Sequence, residues 1–594
     1  MRGNPFSSFA PLATAGTGRP IAGLSHVRGD TGVALVATTI GQLLTAAVAS
    51  RGDREALVFR QQDVRWSWRR FDAEVDRVAA GLLAIGIAPG DRVGIWSPNR
   101  VEWVLTQFAT ARIGAILVNL NPAYRLAELE YAINAVGMKL LVAAEGFKSS
   151  DYLSMLCELA PELASDGIGA LRAARLPSLR GVVRMGHGVT PGMLNFDALA
   201  RLAGPAQVAR VGLVAQGLNA HDAINIQFTS GTTGAPKGAT LTHHNVVNNA
   251  RFVALAMRLG ADDRLCVPVP LYHCFGMVLA VLACVSVGAT LVFPGEGFDA
   301  AATLAAAADE HCTALHGVPT MFIAMLEEAG STRHDLSCLR TGIMAGAPCP
   351  IETMRRVAGE MHLAEMTICY GMTETSPVSF QSAVTDSLEL RVSTVGRVHP
   401  HLEVKLIDDA GATVPIGQPG ELCTRGYSVM QGYWNDAART REAVHDGWMR
   451  TGDLATIDDS GYCNIVGRVK DMLIRGGENI YPREIEEFLF RHPRIAQVQV
   501  FGVPDPKFGE EVCAWIVPKE GQQLDEDEVR HFCQGRISHY KIPRYVRIVP
   551  ELPMTITGKP QKFLMRQDMV RRLGLTETAS AAEAEDQARK TQAS

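Results

Sequence analysis

Between about residue 90 and residue 375, short apolar runs of strand length alternate with segments of helix length. The runs that predict buried strands are RVGIWS, AILVNL, KLLVAA, INIQF, RLCVPV, ATLVF, TALHGV and TGIMAG. The segments that predict helices include THHNVVNNARFVALAM, FDAAATLAAAADEH and PTMFIAMLEEA. Parallel strands need a crossover connection, and a right-handed helical crossover covers one face of the sheet. The alternation therefore predicts an α/β fold with doubly wound parallel sheets.

The pattern changes further along the chain. From about 395 to 467 the helical segments vanish, and turn signals (DDAG, QPGE, HDGW, DDSG) separate short strands. This pattern predicts an antiparallel, β-barrel-like part. After Arg468 the pattern is mixed, with PREIEEFLFRH and DEDEVRHFCQGRI helical and AQVQVFGV, EEVCAWIV and YVRIVP extended. We interpret that stretch as a separate, smaller α+β domain.

A chain of 594 residues is too long for one ordinary core, so two or more domains are expected. We predict a disordered leader at 1–35, an N-terminal domain at 36–468, a mobile C-terminal domain at 469–575 and a disordered tail at 576–594. The first 29 residues contain arginines and no acidic residue, as in a transit peptide, but their prolines would disrupt an amphipathic helix. The expected location is cytoplasmic, with the mitochondrial matrix as the alternative.

Charge and composition exclude several classes of protein. The net charge of -5 and the isoelectric point near 6.4 offer no general attraction to nucleic acid or to anionic membranes. Gly288 divides the most apolar stretch, residues 276–293, into a helix-length and a strand-length piece, which favours buried elements over an integral membrane segment. The twelve cysteines form no CxxC pair, so we expect reduced thiols with neither a zinc site nor disulfides.

The segment TSGTTGAPKG, residues 229–238, has the composition of a phosphate-binding loop. Its glycines allow close approach of the backbone to an anion, its hydroxyls donate hydrogen bonds, and its lysine supplies positive charge. It follows the predicted strand INIQF and is expected to precede a helix. A Walker A loop has Ser or Thr after the lysine, whereas Gly238 follows here. The alternative to a phosphate-binding loop is a flexible Ser/Gly loop that binds no ligand. The candidate ligands are Thr229, Ser230, Gly231, Thr232, Thr233, Gly234 and Lys237.

Further motifs extend this signal over about residues 40 to 570. They are PLYHCFGM at 270–277, AGAP at 345–348, YGMTE at 370–374, TGD at 451–453, GRVKDMLIRGGENIYPREIE at 467–486 and PMTITGK at 553–559. In this order the set resembles the adenylate-forming (AMP-binding) superfamily, and within it most closely the medium-chain fatty-acyl-CoA synthetases. The resemblance implies an acid–thiol ligase that uses ATP, Mg²⁺ and coenzyme A and forms an acyl-adenylate from a small-molecule carboxylic acid.

The resemblance assigns nucleotide roles residue by residue. Tyr370 stacks on adenine, Thr373 binds the α-phosphate, Glu374 holds Mg²⁺, Asp453 accepts from the ribose hydroxyls, and Arg468 also contacts the ribose. Aromatic faces suit a base, and hard carboxylate oxygens suit magnesium. Taken alone, Thr-Glu is a common helix start and an isolated Asp is usually a turn residue. The remaining residues that the resemblance places at the nucleotide are Gly346, Ala347, Pro348 and Gly371.

The motif around His273 bears on the substrate. The resemblance makes this histidine a gate between the nucleotide and acyl pockets, although read alone it would be a core histidine. In amino-acid-activating relatives a carboxylate just beyond this point pairs with the substrate amine, and here none follows, which argues for an uncharged acyl tail. The expected acyl-pocket residues are Phe275, Met277, Val318 and Pro319.

The C-terminal motifs complete the predicted machinery. By resemblance Lys559 is the catalytic lysine of adenylation, although read alone it would be a surface charge. Lys470 occupies the hinge, where many relatives have Asp, and Gly476 and Gly477 line the coenzyme A tunnel. The alternatives are an aryl-acid or other carboxylic acid ligase, a carrier-protein-loading or luciferase-type enzyme, and a silent nucleotide-binding scaffold. No carrier domain follows residue 570, which favours free coenzyme A. Chain length and oligomeric state stay open.

Overall fold

The computed structural model describes residues 18–229, 236–331, 334–347, 349–475, 478–555 and 560–575. It divides into two compact units. The larger unit comprises Met1–Lys405, Cys423–Thr451 and Asp458–Cys463, and the smaller comprises Leu406–Leu422, Gly452–Ile457 and Asn464–Ser594. The bounds predicted for the leader, the two domains and the tail stay predictions.

The helices are, in chain order, α1 (Ile40–Arg51), α2 (Trp68–Ala84), α3 (Val101–Arg112), α4 (Leu126–Ala135), α5 (Tyr152–Leu159), α6 (Phe196–Arg201), α7 (Pro205–Gln216), α8 (His243–Ala256), α9 (Ala283–Val287), α10 (Ala300–Asp309), α11 (Pro319–Ser331), α12 (Ile351–Glu360), α13 (Leu388–Ser393), α14 (Ala437–Ala443), α15 (Pro482–Leu489), α16 (Glu526–Cys533) and α17 (Lys562–Arg572).

The strands are, in chain order, β1 (His26–Arg28), β2 (Glu55–Phe59), β3 (Val64–Ser67), β4 (Arg92–Trp96), β5 (Ile116–Asn119), β6 (Leu140–Ala143), β7 (Gly146–Phe147), β8 (Ser150–Asp151), β9 (Val182–Arg184), β10 (Met193–Asn195), β11 (Ala223–Thr229), β12 (Lys237–Thr242), β13 (Arg264–Cys266), β14 (Thr290–Phe293), β15 (Ala314–Gly317), β16 (Thr341–Ala345), β17 (Glu365–Gly371), β18 (Val378–Gln381), β19 (Arg397–Val398), β20 (Leu402–Ile407), β21 (Gly420–Gly426), β22 (Gly432–Tyr433), β23 (Val444–His445), β24 (Trp448–Ile457), β25 (Cys463–Arg468), β26 (Leu473–Arg475), β27 (Glu478–Ile480), β28 (Ile495–Asp505), β29 (Gly509–Pro518) and β30 (Tyr545–Ile548).

The first large sheet of the larger unit has the strand order β10-β9-β6-β4-β5-β11-β12-β22. The strands from β10 to β11 run parallel, whereas β12 pairs antiparallel with both β11 and β22. The helix predicted after residues 229–238 is present as α8, but strand β12, which the sequence did not predict, comes before it. Thr229 lies opposite Lys237 in an antiparallel pair, and α8 begins only at His243. Pairing on both sides makes Lys237–Thr242 a strand, although its glycine and alanine favour strands weakly.

The second large sheet has the order β19-β18-β17-β16-β15-β13-β14-β2-β3. Its central strands from β17 to β2 are parallel, and the antiparallel strands lie at its two edges. Ile343 packs into one hydrophobic core and its neighbour Met344 into another, because successive side chains of a strand point to opposite faces. Both faces of the sheet are thus covered, as the alternating sequence pattern predicts.

The apolar stretch at 276–293 forms the predicted buried helix and parallel strand. A π-helical segment, Phe275–Leu282, continues into α9, and Gly288 ends it in the left-handed region with φ of +77°. Strand β14 then runs parallel to β13 and β2. Among the described residues, no helix has both the length and the apolar character required to cross a membrane.

Strands, several of them in antiparallel pairs, occupy much of the region from 395 to 467, but the expectation that helices vanish there is wrong. Helix α14 forms at Ala437–Ala443, where the Asp436 side chain accepts a hydrogen bond from the Arg439 backbone N–H at 2.9 Å. An aspartate at this position caps a helix start and stabilises it by about 0.5–2 kcal/mol relative to alanine. The strands on either side of it, β22 and β23, are two residues each.

The smaller unit contains a five-stranded sheet with the order β27-β26-β29-β28, in which β30 also pairs with β29. Strands β28 and β29 form a long antiparallel pair, and β30 runs parallel to β29. The predicted helices at 482–492 and 525–537 are present as α15 and α16. The chain therefore has the predicted mixed α/β fold, with a large N-terminal part and a smaller C-terminal α+β part.

Candidate active site

A buried carboxylate, that of Glu374, is the centre of the candidate site. The strand β17 ends at Gly371, and a 3₁₀ turn over Thr373–Thr375 places the Glu374 side chain inside the larger unit with 5% exposure. Its Oε1 accepts two hydrogen bonds, from the hydroxyl of Thr229 at 3.0 Å and from that of Tyr433 at 3.0 Å. The first residue of the predicted phosphate loop is therefore joined to the predicted magnesium ligand.

Burial of an ionised carboxylate is unfavourable unless a charged partner or a metal compensates it. Within the part of the chain that the structure describes, Glu374 makes no salt bridge, and its second oxygen, Oε2, accepts no hydrogen bond. Magnesium prefers such hard oxygen ligands and is commonly held by one or two carboxylates together with substrate phosphates. The residues present therefore fit a magnesium ion that arrives with a nucleotide.

Tyr433 is the residue that sequence reasoning missed. It lies on β22 beside β12, its side chain is 8% exposed, and the ammonium of Lys237 lies 5.0 Å from its ring centroid. Burial and the neighbouring Glu374 charge raise the pKa of the Tyr433 hydroxyl above its usual range, so it is a donor at neutral pH. The GYW segment at 432–434 carries no signal of this role, because the partner carboxylate is 59 residues away in sequence.

The motif PLYHCFGM meets the motif YGMTE at Cys274. The fully buried Cys274 thiol donates to Oε1 of Gln227 at 3.2 Å and is near enough to Thr373 for that side chain to influence its pKa. Desolvation raises the pKa of Cys274 to about 12, so the group is a neutral thiol. Three predicted segments thus converge here: the strand before the loop, the histidine motif and the Thr-Glu turn.

Met277, a predicted acyl-pocket residue, lies against buried side-chain amides. Its thioether sulfur is 3.1 Å from Nε2 of Gln227 and 3.2 Å from Nδ2 of Asn119. Gln227 also donates to Oδ1 of Asn225 at 2.8 Å, so a row of amides extends along β11 and β5. Met277 is 1% exposed, and its role in binding an acyl chain stays a prediction.

His273 lies two residues before the π-helical segment Phe275–Leu282. The backbone N–H of Phe275 donates to its Nδ1 at 3.2 Å, which assigns the proton of the neutral ring to Nε2. The ring of Phe275 lies 5.4 Å from that of His316, and Phe275, Val318 and Pro319 are buried. Nε2 is therefore the donor nitrogen of the neutral His273 ring, and the gating role of this residue stays a prediction.

Two glycines shape the segments predicted to bind adenine. A Cβ on Gly371 would lie 1.7 Å from the carbonyl oxygen of Pro377, so only glycine fits there. Gly346 has φ of +93°, a region that glycine tolerates best. Tyr370 is half-buried opposite Phe380 on β18, with ring centroids 6.4 Å apart, and Ala347 is half-buried.

In the smaller unit the two predicted ribose ligands lie together. Nε of Arg468 donates to Oδ1 of Asp453 at 3.2 Å, and Asp453 is 9% exposed. Lys470 is exposed in a 3₁₀ turn over Val469–Asp471, as suits the predicted hinge. These placements leave the assigned roles as predictions.

Several predicted site residues lie outside the described part of the chain, and their roles stay predictions. They are Ser230, Gly231, Thr232, Thr233, Gly234, Pro348, Gly476, Gly477 and Lys559.

Comparisons with known proteins agree on one family. The model of the AMP-binding enzyme matches residues 44–434, and that of the AMP-binding enzyme C-terminal domain matches 484–559. A putative acyl-CoA synthetase YngI of Bacillus subtilis is 47% identical over 91% of this chain and 99% of its own length. The mitochondrial medium-chain acyl-CoA ligase ACSF2 of Danio rerio is 47% identical over 93% of this chain and 91% of its own.

Among solved structures, the anthranilate CoA ligase AuaEII in complex with anthranoyl-AMP is similar, with a TM-score of 0.81 and 26% identity. The similarity covers 92% of this chain and 99% of that one. The family model matches well over half of the chain, and the two relatives match nearly all of it. The chain belongs to the family of AMP-binding enzymes.

Proposed function

We propose that this protein is an ATP-dependent acyl-CoA synthetase. It converts a fatty acid, ATP and coenzyme A into acyl-CoA, AMP and pyrophosphate through an acyl-adenylate. The observation that carries the proposal is the buried Glu374 carboxylate, which Thr229 of the phosphate loop and Tyr433 hold by one oxygen. Family membership and the names of the two relatives support the same activity.

A medium-chain fatty acid is the proposed substrate class. The name of the Danio rerio relative supports this chain length, and the absence of a carboxylate directly after His273 supports an uncharged acyl tail. The structural similarity to an anthranilate CoA ligase favours an aryl acid as the second candidate. Buried Phe275, Met277 and Val318 would provide an apolar lining suited to either.

Activation is needed because a carboxylate is a poor electrophile, and AMP is a far better leaving group than oxide. The first step brings two anions together, so the protein must supply cations and oriented donors rather than a general base. Lys237 and the hydroxyl of Thr229 would hold the phosphates, and Lys559 would contact the carboxylate and the α-phosphate. Magnesium, when bound at Glu374, would neutralise charge on the departing pyrophosphate.

In the second step the thiol of coenzyme A attacks the acyl-adenylate carbonyl, and AMP leaves. Asp453 and Arg468 would keep the ribose in place through both steps. A rotation at the Lys470 hinge would move Lys559 away from the acyl-adenylate and bring the Gly476-Gly477 segment, which would line the coenzyme A tunnel, into its place. The cytoplasmic location stays a prediction, and the mitochondrial name of one relative keeps the matrix alternative open.

A panel of acids from acetate to palmitate, together with aromatic acids, tests the proposal. Purified protein with ATP, Mg²⁺ and coenzyme A should release AMP and consume coenzyme A, with the highest rate for medium-chain acids. Release of ADP, or no nucleotide turnover with any acid, would overturn it. AMP formation that requires a carrier protein, or that consumes oxygen, would support the alternative adenylating enzymes instead.

A further inference from the structure

Tyr433 makes two separate contacts with groups of the candidate site. Its hydroxyl donates to Oε1 of Glu374 at 3.0 Å, and its ring faces the ammonium of Lys237 at 5.0 Å from the centroid. A charge-assisted hydrogen bond and a cation–π contact are both strengthened by burial. One side chain therefore touches the candidate metal ligand and the candidate phosphate ligand.

The backbone around Tyr433 is fixed by its neighbours. Tyr433 pairs with Ala239 across β22 and β12, and its N–H donates to Oγ1 of Thr440 at 2.9 Å. The N–H of Trp434 donates to the carbonyl of Gly238 at 2.8 Å. This edge of the sheet also carries Lys237, so the tyrosine and the lysine are held by the same pair of strands.

We propose that Tyr433 is a positioning residue for the metal-bound nucleotide. Its hydroxyl and that of Thr229 occupy Oε1 of Glu374, and since none of the described residues donates to Oε2, that oxygen would take Mg²⁺, while the ring restrains the Lys237 ammonium. The inference rests on the proposed function and adds a residue that carries no metal or phosphate contact of its own.

The physical reason is that both restrained groups are mobile without Tyr433. With only Thr229 as a donor, the Glu374 carboxylate can rotate and direct either oxygen toward the metal. The lysine side chain has several freely rotating bonds, and its loss of rotamer freedom on binding phosphate is smaller when a ring already restrains it. Removal of the tyrosine hydroxyl alone should therefore weaken metal binding. Removal of the whole ring should weaken both metal binding and nucleotide binding.

Two substitutions separate these effects. Tyr433→Phe removes the hydroxyl and keeps the ring, whereas Tyr433→Leu removes both. Tyr462→Phe is a matched control, because the Tyr462 hydroxyl donates to Oδ1 of Asp386 at 2.7 Å and Arg397 lies 4.5 Å from its ring centroid. That tyrosine pairs with a carboxylate and a cation in the same way, but neither partner belongs to the candidate site.

The first measurement is binding rather than activity. Mn²⁺ binding in the presence of an α,β-methylene analogue of ATP can be followed by the loss of the free Mn²⁺ signal in electron paramagnetic resonance. Tyr433→Phe should weaken Mn²⁺ binding about tenfold, the usual effect of losing one hydrogen bond to a charged group. Thr229→Val, which removes the other donor to the same oxygen, should weaken it in the same direction, and Tyr462→Phe should leave it unchanged.

The second measurement is pyrophosphate release against Mg²⁺ concentration. Tyr433→Phe should need about tenfold more Mg²⁺ for half-maximal rate and recover at saturating Mg²⁺, while Tyr433→Leu should also show a raised KM for ATP. A Tyr433→Phe variant with wild-type metal dependence in both measurements would overturn the inference. If the wild type binds Mn²⁺ with the analogue but releases no pyrophosphate with any acid, the proposed function fails, and the binding data alone decide the inference.

Discussion

The hydroxyl of Thr229 lies 3.0 Å from Oε1 of Glu374, although 145 residues separate them in the chain. Thr229 ends β11 in one large sheet, and Glu374 lies in the turn after β17 in the other. The contact brings together the ends of strands from both sheets, which is where α/β proteins usually bind ligands. A change at either residue should therefore alter nucleotide binding rather than the overall fold.

Glu374→Gln should lower the rate of AMP formation by about 10²–10³-fold, the usual loss for one group that stabilises a transition state. The amide oxygen can still accept from Thr229 and Tyr433, so the fold should persist while the charge is lost. The measurement is AMP release at fixed ATP and Mg²⁺. The control is Glu352→Gln on α12, an exposed glutamate that pairs with Arg355 at 2.5 Å and should behave as wild type. An unchanged rate in Glu374→Gln would contradict the magnesium role.

Asp453 is the predicted acceptor for the ribose hydroxyls of ATP. Asp453→Asn should therefore raise the KM for ATP by roughly ten- to a hundredfold, because hydrogen bonds to a charged group contribute about 1.5–3 kcal/mol. The variant keeps the shape of the side chain but loses half of its acceptor capacity. The matched control is Asp568→Asn in the same unit, where Oδ2 accepts from Nε of Arg572 at 2.7 Å. A KM that rises equally in both variants would indicate a general loss of stability rather than a ribose contact.

The strands predicted from apolar runs are present because burial on both faces demands continuous apolar sequence, as in β14, whose four residues are all buried. Strand β12 was missed because KGATLT has little strand preference of its own and forms by pairing with β11 and β22. Tyr433 was missed for a related reason. Its importance lies in a contact with Glu374 that only the folded chain creates.

Lys559→Ala should depress acyl-adenylate formation by about 10²–10³-fold, since the proposed mechanism gives Lys559 the cation that contacts two anions in that step. Thioester formation from supplied acyl-adenylate and coenzyme A should be largely spared. The control is Lys562→Ala, three residues further on, where Nζ pairs with Oε1 of Glu486 at 2.8 Å and has no assigned catalytic role. Equal losses in both half-reactions of Lys559→Ala would argue against a lysine specific to adenylation.

Gly371→Ala should destabilise the larger unit by about 1–3 kcal/mol, the usual cost of overpacking, because the new methyl group would lie 1.7 Å from the Pro377 carbonyl oxygen. The displaced backbone carries Tyr370, so the KM for ATP should rise as well. Gly359→Ala on α12 is the control, since nothing lies within 4 Å of its added Cβ and alanine favours helix. Urea unfolding should move the two variants in opposite directions.

His316 should make the stability of the larger unit depend on pH. The ring is fully buried, Nε2 lies 3.1 Å from the carbonyl oxygen of Leu279, and Nδ1 accepts from the N–H of Ile343 at 3.2 Å. Burial lowers the pKa of His316 to about 4, against an unfolded value near 6.5. The unfolded chain therefore takes up a proton in a range where the folded protein does not, and acid favours unfolding.

The stability that His316 contributes is fully present above about pH 6.5 and falls by about 1.4 kcal/mol per pH unit down to about pH 4. Urea unfolding at pH 7 and pH 4.5 measures this loss. His316→Gln should be less stable than the wild type at pH 7, because the imidazole contacts with the Leu279 carbonyl and the Ile343 N–H are lost. It should, however, lose less stability on acidification than the wild type. His187→Gln, at a side chain that is 96% exposed, should retain the wild-type pH dependence. An acid loss in His316→Gln as large as that of the wild type would mean that other buried histidines, such as His399, carry the effect.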